Sequence, residues 1–147
     1  MTNETEIPTK RSAYPVVTPV TLRFSDQDPL GHINNVAVTA ILESGRTGLL
    51  RVLFDGVELP PRSMVLANLV VDYRHEMTFP GTVEVGAKLV HVGTKSLRGA
   101  YAIFQNGVCC VTSHSTNVFF DNETRKSKMP PSSVHEQLKR ILAEHTL

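Results

Sequence analysis

Arg23-Phe24-Ser25-Asp26-Gln27-Asp28-Pro29-Leu30-Gly31-His32-Ile33-Asn34-Asn35 separates two kinds of periodicity. Before and into it, Val20, Leu22 and Phe24 alternate with Thr21 and Arg23, which predicts a strand over residues 16–25 with one buried face. After it, Ile33, Ala37, Ala40, Ile41, Gly45, Gly48, Leu49 and Val52 recur at i, i+3/i+4, which predicts a helix of roughly five turns. Pro29 pushes Asp28 towards extended backbone. Gly31 can take a positive φ where the chain turns, and Asn34 or Asn35 suits an N-cap or the first turn. Two carboxylates at a strand end, just ahead of a helix N-terminus, can be a turn, a cap or a reaction site.

The helix is poor in charge: only Glu43, Arg46 and Arg51 interrupt it between Asn35 and Phe54. Val36, Val38, Leu42, Leu50 and Leu53 occupy its other faces, so it reads as buried nearly all round. Its small residues, Gly45 and Gly48 among them, allow close approach to a sheet. Glu43 and Arg46 stand at i, i+3 and most simply pair with each other, or else brace the motif turn or a dimer seam. Asp55-Gly56 ends the helix.

From Val65 the period changes to two. Four strands are expected, over residues 65–74, 83–92, 96–104 and 108–120. They are separated by turns at Phe79-Pro80-Gly81, Gly93-Thr94-Lys95 and Gln105-Asn106-Gly107, the last a hairpin signal. Consecutive strands joined in this way predict an antiparallel meander. Ser133 and Glu136 have capping-box spacing at a short amphipathic helix carrying Val134, Leu138, Ile141 and Leu142. Residues 1–15 read as a flexible tail, 16–126 as one domain and 127–147 as a linker and C-terminal helix. One sheet and one central helix must bury each other, so the sheet curls round the helix. Its edges and outer face invite a second copy, which predicts a homodimer.

Composition narrows the function. The 147 residues hold 15 basic and 14 acidic side chains, for a net charge of +1, and no Trp. That balance supplies no general field for nucleic acid or for an acidic membrane. Met1 to Arg11 lacks the apolar core of a signal peptide, and no apolar run is long enough for a membrane helix, so a cytoplasmic protein is expected. Cys109 and Cys110 are adjacent and would point to opposite faces of a strand, which excludes a disulfide framework. His75, His91 and His114 stand in the expected strands at separations that suggest no metal site.

The element order, with this turn at the first strand–helix junction, resembles the hot-dog fold. More narrowly it resembles the 4-hydroxybenzoyl-CoA thioesterase-like family of acyl-CoA thioesterases. Asp26 to Asn35 is similar to that family's D-x-D-x-x-G-[HIV]-[VI]-x-x pattern, and Glu43-Ser44-Gly45-Arg46 to its E-x-A-R element. Val71-Asp72-Tyr73-Arg74 and Val83-Glu84-Val85-Gly86 resemble its later strand signatures. The resemblance implies an α+β fold: a curved antiparallel five-stranded sheet wrapped round one long central helix, plus a short C-terminal helix. It implies an acyl-CoA substrate, no metal, no cofactor beyond the CoA of the substrate, and a homodimer or a dimer of dimers.

Residue by residue, Asp28 matches the catalytic carboxylate. Asn35 falls where a helix N-terminal backbone N–H binds the thioester oxygen. Gly31, His32 and Asn34 would line the pocket. Lys95 sits in a hairpin that in relatives meets the CoA nucleotide, with Arg98 close by. Val38 stands where many relatives have Tyr, so an aromatic wall of the acyl pocket is expected to be missing.

The chemistry fits those residue types. Thiolate is a good leaving group, so hydrolysis chiefly needs a polarised carbonyl and an attacking group. A helix N-terminus supplies unpaired N–H groups and a favourable dipole. A carboxylate facing it can attack directly or deprotonate water. Two alternatives stay open. The D-x-N-P-[LIV]-H signature of hot-dog enoyl-CoA hydratases is similar, but Asp28 replaces its Asn and Gly31 precedes His32. A non-catalytic acyl-CoA-binding module is the other.

Overall fold

The computed structural model describes residues 6–146. In chain order it contains β1 (Val16–Thr21), α1 (Asn35–Leu53), β2 (Met64–Tyr73), β3 (Thr82–Val92), β4 (Ser96–Gln105), β5 (Val108–Asp121), β6 (Lys126–Ser127) and α2 (Ser132–His145). Five strands form one antiparallel sheet in the order β1-β3-β4-β5-β2, and the two-residue β6 adds to β5. The curled sheet and the long helix are the arrangement the hot-dog resemblance implied.

Four strands in an unbroken meander were expected, and the order corrects this. β3, β4 and β5 do form a meander, and Asn106 and Gly107 both take positive φ in its tight turn, at 51° and 79°. β2 instead lies on the far side of β5. The segment between β2 and β3 is therefore a crossing rather than a hairpin. The Arg74 and His75 N–H groups still donate to the Cys110 carbonyl, at 2.8 and 3.0 Å. The chain then buries Met77 and accepts the Ile33 N–H at the Met77 carbonyl, at 3.1 Å. This crossing seats itself against the turn that precedes α1.

β1 ends earlier than the alternation suggested. At Arg23 the chain enters a single 3-10 turn, Phe24–Asp26. Phe24, expected on the buried face, is 78% exposed and packs edge-on against Phe79.

α1 lies on β1, β3 and β4, with Ile41, Leu42, Leu49 and Leu53 in the core against Val83, Val85, Leu89 and Ile103. Full burial of such side chains is worth about 1.5–3 kcal/mol each. The close approach depends on glycine: a Cβ at Gly45 would overlap Val85, and one at Gly48 would overlap the Thr18 hydroxyl.

The helix is not covered all round, as its apolarity suggested. Val36 and Val52 are exposed, and so is Glu43. The expected Glu43–Arg46 pair does not form. Arg46 turns inward and is 8% exposed, and its charge bears on the Tyr101 hydroxyl, which is bonded to Ser115 Oγ at 3.2 Å. Arg46 Nη1 and Asn117 Oδ1 are both buried without a hydrogen-bond partner among the described residues. β2, which pairs its Leu66 with Asn117, is bare, with Val65, Leu66, Val70 and Tyr73 all exposed.

Both ends of the chain depart from the reading of a loose tail and a capped helix. Arg11–Ala13 form a 3-10 turn, Arg11 pairs with Glu84 at 2.6 Å, and Tyr14 is buried over Gly86, where a Cβ would overlap its ring. That stretch is a strap on the outer sheet face; residues 1–5 of the expected tail lie outside the described residues. α2 begins at Ser132 after Pro131, so Ser133 falls inside the helix and no side-chain cap forms. α2 docks instead through Val134, Leu138 and His145. The His145 Nδ1 accepts the Leu89 N–H at 2.9 Å, beside the register shift between Leu89 and His91. Cys109 and Cys110 are free thiols. Among the described residues, no helix is long and apolar enough to cross a membrane.

Candidate active site

The turn between β1 and α1 is built from two locks. In the first, Asp26 Oδ2 accepts the Arg23 N–H at 2.8 Å and Oδ1 accepts the Arg23 guanidinium at 2.9 Å. The Asp26 carbonyl takes the Asn34 N–H at 2.9 Å, tying the start of α1 back to the end of β1. Asp26 is only 5% exposed. Burial pushes its pKa up, but the Arg23 backbone N–H and guanidinium more than reverse this and hold it below the ordinary value.

The second lock is a small closed turn. The Asp28 N–H donates to the His32 carbonyl at 2.8 Å, and the His32 N–H donates back to Asp28 Oδ1 at 3.1 Å. Leu30 N–H donates to the same oxygen at 2.9 Å. Gly31, at φ +84°, permits this tight path. Asp28 Oδ2 accepts no hydrogen bond among the described residues, and Asp28 is half-buried.

Of the two candidate caps, Asn34 is the N-cap: its Oδ1 accepts the Ala37 N–H at 2.7 Å. Its carbonyl takes the Val38 N–H at 3.0 Å. The N–H groups of Asn35 and Val36 are left with no acceptor among the described residues.

Asp28, His32, Asn34, Asn35 and Val38 line one cavity of about 560 Å³. Gly31 shapes the turn beside it but does not line it. The opposite wall was not legible in the sequence: Tyr73 at the end of β2, then Arg74, His75, Glu76 and Met77, with Val111 of β5. His75 is therefore not within a strand, as the alternation suggested; it follows β2 and faces the cavity. His32 Nε2 and Glu76 Oε2 stand 2.7 Å apart across this space. The missing signal is the crossing of residues 74–81, which only the strand order reveals. Tyr73 also brings an aromatic ring from β2 to a cavity that has Val38 on the helix side.

Lys95 and Arg98 lie elsewhere. Lys95 is in the β3–β4 turn, at the end of the sheet opposite to Asp28, one strand length or about 30 Å away. Arg98 lines a separate groove of about 760 Å³ on the outer sheet face, with Lys88, His91 and His114. Arg74 borders both spaces.

One cavity thus carries an uncommitted Asp28 carboxylate oxygen and, among the described residues, the uncommitted Asn35 N–H at the start of α1. A family model described as the thioesterase-like superfamily matches residues 22–138. The fold is similar to that of a predicted thioesterase from Bacillus stearothermophilus, at 30% identity over 86% of this chain and 96% of that one, with a TM-score of 0.78. It is also similar to a thioesterase from Thermus thermophilus complexed with coenzyme A and Zn, at 27% identity, covering 89% and 97% of the two chains, TM-score 0.77. A DHNA-CoA thioesterase from Staphylococcus aureus shares the fold at 16% identity, covering 89% and 93%, TM-score 0.78. No curated protein matches the chain.

Proposed function

We propose that this chain, which belongs to the thioesterase-like superfamily and is a thioester hydrolase, hydrolyses acyl-CoA thioesters as a 4-hydroxybenzoyl-CoA thioesterase-like enzyme, with Asp28 as its catalytic carboxylate. The observation that carries this is the presence, in one cavity, of an uncommitted Asp28 oxygen and the uncommitted Asn35 N–H at the start of α1. The thioester oxygen takes that N–H, and the negative charge that develops on it sits at the positive end of the helix dipole. Asp28 then acts in one of two ways. Its carboxylate attacks the carbonyl carbon, the C–S bond breaks, and water hydrolyses the resulting anhydride. Alternatively it takes a proton from an attacking water and passes it to the departing thiolate. Both routes end in a carboxylic acid and CoA. Ile33, Val38, Met77 and Val111 give the cavity an apolar side for the acyl group.

A panel of acyl-CoAs assayed with a thiol reagent tests the reaction. Thiol release from at least one of them is expected. Binding without release across the panel would overturn the proposal in favour of a binding module. Loss of the conjugated absorbance of crotonyl-CoA without free thiol would overturn it in favour of hydration.

The working unit in this proposal is a homodimer joined edge to edge through β2. Its support is the bare, apolar edge strand and the orphaned Asn117 Oδ1 on the strand paired with it. Antiparallel pairing about a two-fold would bring the partner's β3–β4 end level with this chain's cavity. Lys95 and Arg98 would then meet the CoA bound to the other subunit. Sedimentation should give twice the 16.2 kDa chain mass, or a further doubling; a 16.2 kDa species at assay concentration would contradict it.

A further inference from the structure

Glu76 has no part in the chemistry above, yet it is built into the turn that carries Asp28. It comes from the β2–β3 crossing, 2.7 Å from His32 Nε2. The two side chains are in ion-pair contact, with no aligned N–H···O hydrogen bond between them. The backbone of His32 donates to Asp28 Oδ1, and its carbonyl accepts the Asp28 N–H. His32 is thus the link between Glu76 and Asp28. The next residue is anchored to the same crossing, since the Ile33 N–H donates to the Met77 carbonyl at 3.1 Å. Two consecutive residues of the turn are tied to two consecutive residues of the crossing, one by backbone and one by side chain.

Resting on the reading of Asp28 as the catalytic carboxylate, we infer that Glu76 is a positioning residue that acts through His32. By restraining the His32 ring it fixes the N–H that holds Asp28 Oδ1, and so keeps the other Asp28 oxygen available to the cavity. Without that restraint, among the described residues only the internal bonds of residues 28–32 and the neighbouring Ile33–Met77 bond hold the carboxylate in place. A Cβ at Gly31 would meet no atom within 4 Å, so the turn is unpacked at that point. The His32 and Glu76 side chains are 48% and 64% exposed, so the pair adds little to folding stability. A loss of activity in a Glu76 variant can therefore be separated from a loss of fold.

The test compares Glu76→Ala, Glu76→Gln, His32→Ala and the double variant His32→Ala/Glu76→Ala in the full chain. Glu76→Ala is expected to lower kcat about tenfold with KM within about twofold, as misplacement of a reacting group does. Glu76→Gln, which keeps the side-chain contact with the imidazole but not its charge, is expected to fall between Glu76→Ala and the parent. The double variant should be no slower than His32→Ala, because Glu76 works only through that ring. Amide hydrogen exchange reads the same restraint without any substrate. The His32 N–H should exchange about threefold faster in Glu76→Ala while the Val38 N–H inside α1 is unchanged. An unaltered kcat, a double variant that multiplies the two single losses, or an unaltered His32 exchange rate would each overturn the inference. If the parent releases no thiol from any acyl-CoA, the reading of Asp28 fails on its own. The exchange experiment then still decides whether Glu76 restrains the turn.

Discussion

Residues 23–26 and residues 28–36 are two halves of one turn, and they treat their polar atoms differently. In the first half both Asp26 carboxylate oxygens and the Asp26 carbonyl are spent on Arg23 and Asn34. In the second half Asp28 spends one carboxylate oxygen on Leu30 and His32, and the Asn35 and Val36 N–H groups are spent on nothing among the described residues. Burial separates the two. An ionised carboxylate as buried as Asp26 has to satisfy its lone pairs within the chain, and one that has done so has nothing left for a substrate. Asp28, half-buried at the cavity wall, is under no such demand. A D-x-D formula treats its two members alike; the fold makes one a rivet and leaves the other free.

The largest effect should come from the free half. Asp28→Asn is expected to lower kcat about a thousandfold, read by thiol release, while Tm stays within about 2 °C of the parent. An Asp28 variant that unfolds instead would erase the distinction between the halves. Next is Asp26→Asn. It keeps the shape but removes the charge that the Arg23 guanidinium faces, and should cost about 2–3 kcal/mol of stability by denaturant unfolding. The kcat of whatever remains folded should stay near the parent's. The smallest effect lies far from the turn and shows what a spent group looks like in a titrating residue. His145 is held below its ordinary pKa of 6.5 by burial, with Lys88 adding to this and Glu144 opposing it. Its Nδ1 is committed to the Leu89 N–H, so the folded chain resists the proton that the unfolded chain accepts. Stability should therefore be complete above about pH 6.5 and fall as the pH drops below it. His145→Gln, which keeps an acceptor, should flatten that slope in unfolding curves taken between about pH 5 and pH 8.

Much of the fold was legible because periodicity reports burial directly. The change from 3.6 to 2 at Val65 placed α1 and four strands, and Gly45 and Gly48 signalled the close helix–sheet approach. What stayed hidden was strand order. Alternation says which face of a strand is buried but not which strand lies beside it, so the crossing of β2 over to β5 could not be read. The site inherits that limit. Residues 28–38 are local, and their turn and cap chemistry is written in Pro29, Gly31 and Asn34. The far wall, Tyr73 at the end of β2 followed by residues 74–77 of the crossing, carries no local mark of where it lies. Phe24 misled for a related reason: the alternation ran past the real end of β1, because the signal that stops the strand is a side chain, Asp26, capping Arg23. Arg46 misled because helical spacing offered it Glu43, whereas its position on α1 turned it into the interior.

Single-turnover hydrolysis by Asp28→Asn, with enzyme in excess over an acyl-CoA that the parent accepts, tests the central claim most directly. It isolates C–S cleavage from binding and product release. Substrate binding should remain within about threefold of the parent, with cleavage slowed by about a thousandfold. A cleavage rate within about tenfold of the parent's would contradict the assignment of the chemistry to the Asp28 carboxylate.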